Sequence, residues 1–283
     1  MRTIHFGGRE VFSGDGLRYE FAGSLPVYRF EQLNGDTSFV HAVFTRAGGV
    51  SRPPYASLNL GHTVGDDPLS VQINHERVYQ ALGVARSRVV TCHLTHSADV
   101  LTVRAADGGQ VVGQGDAMIT ADVGVYLAMR FADCVPILLH DPVRRAVGLA
   151  HAGWRGTVKN VAGAVVRTMV DRLGCSADHL VAVIGPAIGP CCYQVGPDVI
   201  QAVERVLPPQ PASDNSPPLF SRCHEGHAYF NLWEANRRQL EAAGAGTVVV
   251  AGLCTACRPD RFFSHRGEGG KTGRFGVVIG YGE

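Results

Sequence analysis

Residues 125–169 read VYLAMRFADCVPILLHDPVRRAVGLAHAGWRGTVKNVAGAVVRTM. The apolar runs VYLAMRF and VPILLH predict two buried strands, DPVRR a tight turn, and AVGLA a third strand. An amphipathic helix follows, with Val158, Val161, Val165, Val166, Met169 and Val170 as its buried stripe and Gly174 as its stop. Packing does not explain two residues. Cys134 sits between Asp133 and Val135-Pro136, where a strand pauses, and His151 sits where AVGLA gives way to the glycine-bracketed HAGWRG. Neighbouring strands would bring this thiol and imidazole together near a helix N-terminus, which favours anions. The pair suits either a metal site or a nucleophile with its base.

Working outward, SFVHAVFT is a strand, and RAGGVSRPPYASLNLG has too much Gly, Pro and Ser for either regular element. Arg46, Ser57 and Asn59 are the polar residues of this loop able to face a ligand, although Asn59 can equally bond its own turn. LSVQINHERVYQALG is a helix between the Asp66-Asp67-Pro68 start signal and the Gly83 stop signal. RVVTCHLTHSADVLTV reads strand, polar interruption, strand, and carries Cys92, His93 and His96. GPDVIQAVERVL and FNLWEANRRQLEAAG are helices, the second with Asn231 as N-cap. PPQPASDNSPP is an exposed loop, since no new core begins after it. FGVVIGYG is the closing strand. Residues 1 to about 36 alternate apolar and polar positions between glycine-rich turns, which predicts a strand or hairpin extension. The expectation is one α+β (mixed α/β) domain over residues 1–283.

Composition bounds the function. With 26 basic and 25 acidic residues the charge nearly balances, and no basic run points to nucleic acid. No apolar segment has the length of a membrane span, and MRTIHFGGREVF lacks the apolar core of a secretory signal. A soluble, cytoplasmic protein is expected. Eight cysteines, Cys92, Cys134, Cys175, Cys191, Cys192, Cys223, Cys254 and Cys257, are irregularly spaced and read as reduced thiols. Cys254-x-x-Cys257 invites a zinc ribbon. Cys191 and Cys192 are adjacent, however, which is poor spacing for two tetrahedral ligands, so the pair is read as two half-buried thiols.

The set His96, Cys134 and His151 is the stronger candidate. Each lies at a break between an apolar strand and a glycine-rich turn, and two His with one Cys leave a position on zinc for water. A metal-free hydrolase using Cys134 and His151 stays open. So does a binding module whose structural zinc takes His93 or Cys92 as fourth ligand. Arg46, Arg155 and Arg266 fall in glycine-containing loops, and guanidinium groups converging there would bind phosphate or carboxylate. Walker, GxGxxG and GxSxG patterns are absent from the sequence.

FTRAGGVS, YASLNLG, VGDDP, THSADV, GDAMIT, FADCVPILLHD, AHAGWRGT, IGPAIGPCCYQVG, CT, FFSHR and TGR occur in this order from about residue 41 to 279. Together they closely resemble the laccase-domain, or polyphenol oxidase (YfiH-type), family, whose members are assigned as broad-specificity purine nucleoside phosphorylases. ADCVP with AHAGWRGT is the most specific part. The resemblance implies one zinc per chain held by His96, Cys134 and His151, in a four-layer αββα β-sandwich flanked by helices. It implies phosphorolysis of adenosine, inosine, guanosine and methylthioadenosine, plus hydrolytic deamination of adenosine.

On that reading Arg46 and Arg155 form a phosphate cradle, Ser57 and Asn59 bond ribose or base, and Asp133 orients a ligand or accepts a proton. Multicopper chemistry is not expected, because such clusters use His-x-His pairs and this sequence has none. One departure stands out: the family usually has Gln-Val-His-Gly where this sequence has Leu94-Thr95-His96-Ser97. The expected partners are purine nucleosides and phosphate. A monomer is compatible with all of this, and the sequence leaves the oligomeric state open.

Overall fold

The strand Val135–Asp141 is apolar throughout its first five residues and buried at all seven, which suits a strand covered on both faces. The structure, a computed structural model, describes residues 4–6, 9–11, 16–33, 35–207, 217–222 and 227–283. Most of the PPQPASDNSPP stretch and Cys223 lie outside the described residues. In chain order the main strands are β1 (Leu17–Ala22), β2 (Leu25–Phe30), β3 (Phe39–Phe44), β4 (Val89–His93), β5 (Val100–Thr102), β6 (Val111–Gln114) and β7 (Ala117–Thr120). They continue with β8 (Val125–Phe131), β9 (Val135–Asp141), β10 (Ala146–Ala152), β11 (Val181–Ile184), β12 (Thr247–Val250) and β13 (Phe275–Tyr281). The helices are α1 (Pro68–Leu82), α2 (Trp154–Val158), α3 (Val161–Leu173), α4 (Pro197–Val206) and α5 (Leu232–Ala242).

Two mixed sheets result, with strand orders β1-β2-β3-β13-β8-β4-β6 and β12-β11-β9-β10-β7-β5. Side chains of a strand point alternately to its two faces. Leu138 therefore joins Leu149, Val183, Leu127, Phe131 and Val277 between the sheets. Its neighbours Ile137 and Leu139 turn the other way, onto Val165, Met169, Leu232, Leu240 and Val203 of α3, α5 and α4. Val78 of α1 covers the outer face of the first sheet with Phe44, Tyr126 and Val278. The layers run helix, sheet, sheet, helix, as the resemblance implied. Each fully buried Leu or Ile of β9 contributes about 1.5–3 kcal/mol.

Local signals explain the boundaries. The Asp67 side chain caps α1 by accepting from the Ser70 N–H, and Gly83 ends it in the left-handed conformation. Asn231 likewise accepts from the Glu234 N–H at the start of α5. The helix expected to run unbroken from HAGWRG to Gly174 is instead two. α2 stops after one turn, and Asn160, at φ 62°, restarts the chain by capping α3 through the Gly163 N–H. The N-terminal hairpin β1–β2 is hydrogen-bonded into the seven-stranded sheet through β3.

Candidate active site and metal centre

The antiparallel register sets Val135 opposite Ala152 and Pro136 opposite His151. Cys134, one residue before β9, thereby reaches His151 near the end of β10. β7 lies on the other side of β10, and there the His151 N–H donates to the Asp116 carbonyl at 2.7 Å. Backbone pairing also brings the side chains together, with His151 Nδ1 2.9 Å from Asp116 Oδ1. The imidazole therefore presents its Nε2 edge outward. The third residue, His96, follows β4 in an exposed turn at φ 56°. Its turn is held by the same carboxylate, because Asp116 Oδ2 accepts from the N–H groups of Thr95 (3.0 Å) and Ser97 (2.7 Å) and from both hydroxyls. Lys159 Nζ donates to the His96 carbonyl at 3.1 Å.

The donor atoms of His96, Cys134 and His151 all lie within 4.8 Å of one another. Two imidazoles and a thiol so placed are a donor set for a borderline-soft divalent metal. Gly153 makes the approach possible: a Cβ there would sit 2.9 Å from Cys134 Sγ and 3.0 Å from His96 Cδ2. The electrostatics agree. Burial penalises the Cys134 thiolate, but the His151 charge and hydrogen bonds from His151 and His96 outweigh it and hold the thiol down at about 6. Burial also works against a charged His151, while Cys134 and Asp116 raise it to about 9. Burial pushes the Asp116 carboxyl up, yet His151, Ser97 and Thr95 hold it well below the usual carboxylate range. The site is built for a thiolate beside a cation.

Asp133, at φ 84°, is buried just before the thiol. Its carboxylate accepts from Thr255 Oγ1 (2.6 Å), Ser264 Oγ (2.7 Å) and the Arg266 N–H (2.6 Å), and its carbonyl accepts from the Ile188 N–H. It fixes the loops around Cys134 and has little free acceptor capacity. Arg155 is exposed and rests 4.3 Å over the Trp154 ring. Arg266 is exposed, 5.1 Å over Tyr193, with Nη1 on the Gln194 carbonyl. Tyr193 lies within electrostatic reach of Cys134, Arg266, Asp133 and Arg155, so these groups share one neighbourhood.

Three expected ligand contacts are otherwise engaged. Arg46 gives Nε to the Ala56 carbonyl and Nη1 to Glu268, and lies over Phe263, tying loops together. Asn59 is fully buried and saturated by the N–H groups of Gly61 and Arg274 and by Asp66, so it serves its own turn. Ser57 Oγ accepts from the Gly49 N–H and donates to the Arg46 carbonyl. Of the alternative fourth ligands, Cys92 is buried with its thiol on the Gly115 carbonyl, and His93 faces a separate cavity. That cavity, of 590 Å³, lies beside the site between α1 and the first sheet, with Leu94, Arg130 and Arg274 among its lining. Leu94, where the family has glutamine, is thus an apolar wall two residues from His96. Asp116 was missed as a site residue. Its only sequence signal is its place in GDAMIT, one residue before a strand.

Comparison with known proteins fits this geometry. Residues 40–282 match the family described as multi-copper polyphenol oxidoreductase laccase. The chain belongs to this family. Within it, the chain is 40% identical over 250 residues to purine nucleoside phosphorylase YlmD of Geobacillus stearothermophilus, covering 85% of this chain and 89% of that protein. It is 38% identical over 259 residues to a purine nucleoside phosphorylase of Deinococcus radiodurans, covering 92% and 94% respectively. The crystal structure of the Geobacillus YlmD matches with a TM-score of 0.86 at 37% identity, over 94% of this chain and 99% of that one. That of the Bacillus licheniformis hypothetical protein YfiH matches with a TM-score of 0.85 at 35% identity, over 95% and 100%. Both crystal structures thus share the fold of this chain. Among the described residues, no helix is long and apolar enough to cross a membrane.

Proposed function

We propose that this laccase-family chain is a zinc-dependent purine nucleoside phosphorylase that also deaminates adenosine. It would convert adenosine, inosine or guanosine and phosphate to base and ribose 1-phosphate, and methylthioadenosine and phosphate to adenine and 5-methylthioribose 1-phosphate. The observation that carries the reading is the three-donor set His96, Cys134 and His151, with Asp116 fixing the second imidazole, in a chain whose close relatives are named purine nucleoside phosphorylases. When bound there, zinc supplies Lewis acidity and an ionised water, which suit it to polarising a substrate oxygen and to hydrolytic deamination.

The chain's own residues do the rest. Asp116 keeps the proton on His151 Nδ1, so that Nε2 faces the ligand position. Asp133 holds the loops of Thr255, Ser264 and Arg266 against Cys134. Arg155 and Arg266, each stacked on an aromatic ring, take the anion-binding role, while Arg46 gives Nε and Nη1 to loop carbonyls and Glu268. In that role they would hold phosphate for attack at C1′ of the ribose while charge builds on the departing base.

A second reading has its own support. His151 stands between Cys134 and Asp116 as the base of a Cys–His–Asp hydrolase would. That arrangement has no use for a second imidazole beside the thiol, and His96 is what favours the metal. The test is incubation with inosine and with adenosine, with and without phosphate. Phosphate-dependent release of hypoxanthine and adenine supports the phosphorylase, and phosphate-independent inosine from adenosine supports the deaminase. No turnover of either nucleoside, with or without added zinc, sinks the proposal.

A further inference from the structure

β11 and β12 are parallel neighbours, paired from Val181↔Thr247 to Ile184↔Val250, so the loops that leave them start side by side. One loop carries Cys191 and Cys192, the other Cys254 and Cys257. Adjacency along the chain counted against Cys191 and Cys192 as joint ligands, but the turn after Gly189 aims both at the same point. Cys257 Sγ is 3.5 Å from Cys191 Sγ and 3.4 Å from Cys192 Sγ. All four sulfurs lie within 4.8 Å of one another.

A zinc ion with sulfur ligands at about 2.3 Å places those sulfurs about 3.8 Å apart, inside this spread. A disulfide needs about 2.05 Å, and no pair here is bonded. The Gly189 N–H donates to Cys254 Sγ at 3.2 Å, the support a charged sulfur takes from backbone. Gly189 has no room for a side chain, since a Cβ would lie 2.8 Å from the Trp233 ring and 3.2 Å from Cys191 Sγ. Four thiols gathered without a cation would gain little, because S–H is a weak donor and each thiolate repels the next.

We propose that Cys191, Cys192, Cys254 and Cys257 form a second, structural zinc site, closed by four thiolates. Its place in the fold gives it a task. Thr255 lies between two of its ligands and donates to Asp133, next to Cys134. Tyr193 adjoins Cys192 and lies under Arg266. The Thr255 N–H donates to the Ala187 carbonyl, and the Ala187 N–H to the Leu253 carbonyl. The metal would staple these loops and hold one wall of the active site in place. The inference stands apart from the proposed activity, because it uses none of His96, Cys134 or His151.

Zinc per chain is to be counted in wild type, Cys257→Ser and Cys134→Ser, all purified under reducing conditions. Two equivalents in the wild type and one in each variant are expected. Cobalt loaded into Cys134→Ser should then give the strong sulfur-to-metal charge-transfer band of a four-thiolate site, absent from Cys257→Ser. In the wild type, Cys191, Cys192, Cys254 and Cys257 should resist alkylation until a chelator strips the metal. A zinc count unchanged by Cys257→Ser overturns the proposal, as does alkylation of the four thiols at the same rate before and after chelation. If Cys257→Ser does not fold, the alkylation rates of the wild type decide alone. Zinc missing only from the His96 site would count against the proposed activity and leave this site standing.

Discussion

Two donor clusters sit at neighbouring strand ends and differ in what stands behind them. His96, Cys134 and His151 are backed by the buried Asp116 carboxylate, which fixes one imidazole and the turn of the other. Cys191, Cys192, Cys254 and Cys257 are backed by a backbone N–H and lie partly at the surface. A single thiolate leaves a divalent metal net positive, whereas four make it net negative. The first arrangement keeps Lewis acidity and the second gives it up for cohesion. Ligand type and backing, rather than proximity alone, separate a reactive centre from a scaffold.

The sharpest way to break this contrast is Cys134→Ala. It should cut nucleoside turnover at least about 10³-fold, as loss of a metal worth several kcal/mol of transition-state stabilisation requires, while the four-thiolate site keeps its zinc. Steady-state assays beside metal analysis decide it, and retained turnover would place the chemistry elsewhere. Asp116→Asn comes next. An amide cannot hold His151 in one tautomer as a carboxylate does, so zinc affinity at the first site should fall about 10- to 100-fold in chelator competition. Equal affinity would mean that Asp116 serves the fold alone. Gly153→Ala tests the packing around the metal. Its backbone is ordinary, at φ −74°, but the new methyl presses on Cys134 and His96, so zinc affinity should drop about tenfold or less with little change in unfolding. A variant that binds zinc normally would show that the ligands can yield.

The last test concerns the frame around both sites. His41 is buried, and burial with the Arg29 and His140 charges lowers it to about 3. Its unfolded value is about 6.5, so the unfolded chain takes up this proton first and stability is lost as pH falls from there toward 3. The stability gap between wild type and His41→Gln should therefore shrink by about 2 kcal/mol between pH 7 and pH 5, read from urea unfolding. A gap independent of pH would show that His41 titrates normally in the fold.

Much of the frame was legible. The run Val135–Asp141 announced a strand buried on both faces, and Asp67, Gly83 and Asn231 marked helix ends by their cap chemistry. His96, Cys134 and His151 were visible because each sits where an apolar run breaks, and the family motifs agreed. Asp116 was not visible, because its link to His151 spans 35 residues and exists only once β7 pairs with β10. The internal contacts of Arg46, Ser57 and Asn59 were not legible for a related reason. A polar residue in a glycine-rich loop looks available until the loop closes and its own carbonyls and N–H groups use it. The four-cysteine cluster was hidden for the same cause, because spacing along the chain does not show which strands lie side by side.

The most direct test strips and restores the metal on one preparation. Wild-type protein is freed of zinc with a chelator, assayed for phosphate-dependent conversion of inosine to hypoxanthine and ribose 1-phosphate, and assayed again after stoichiometric zinc is returned. Activity lost on stripping and recovered on return is the predicted result. Full phosphate-dependent turnover by the zinc-free protein, abolished by alkylation of Cys134, would contradict it and make a metal-free reaction on Cys134, His151 and Asp116 the better account.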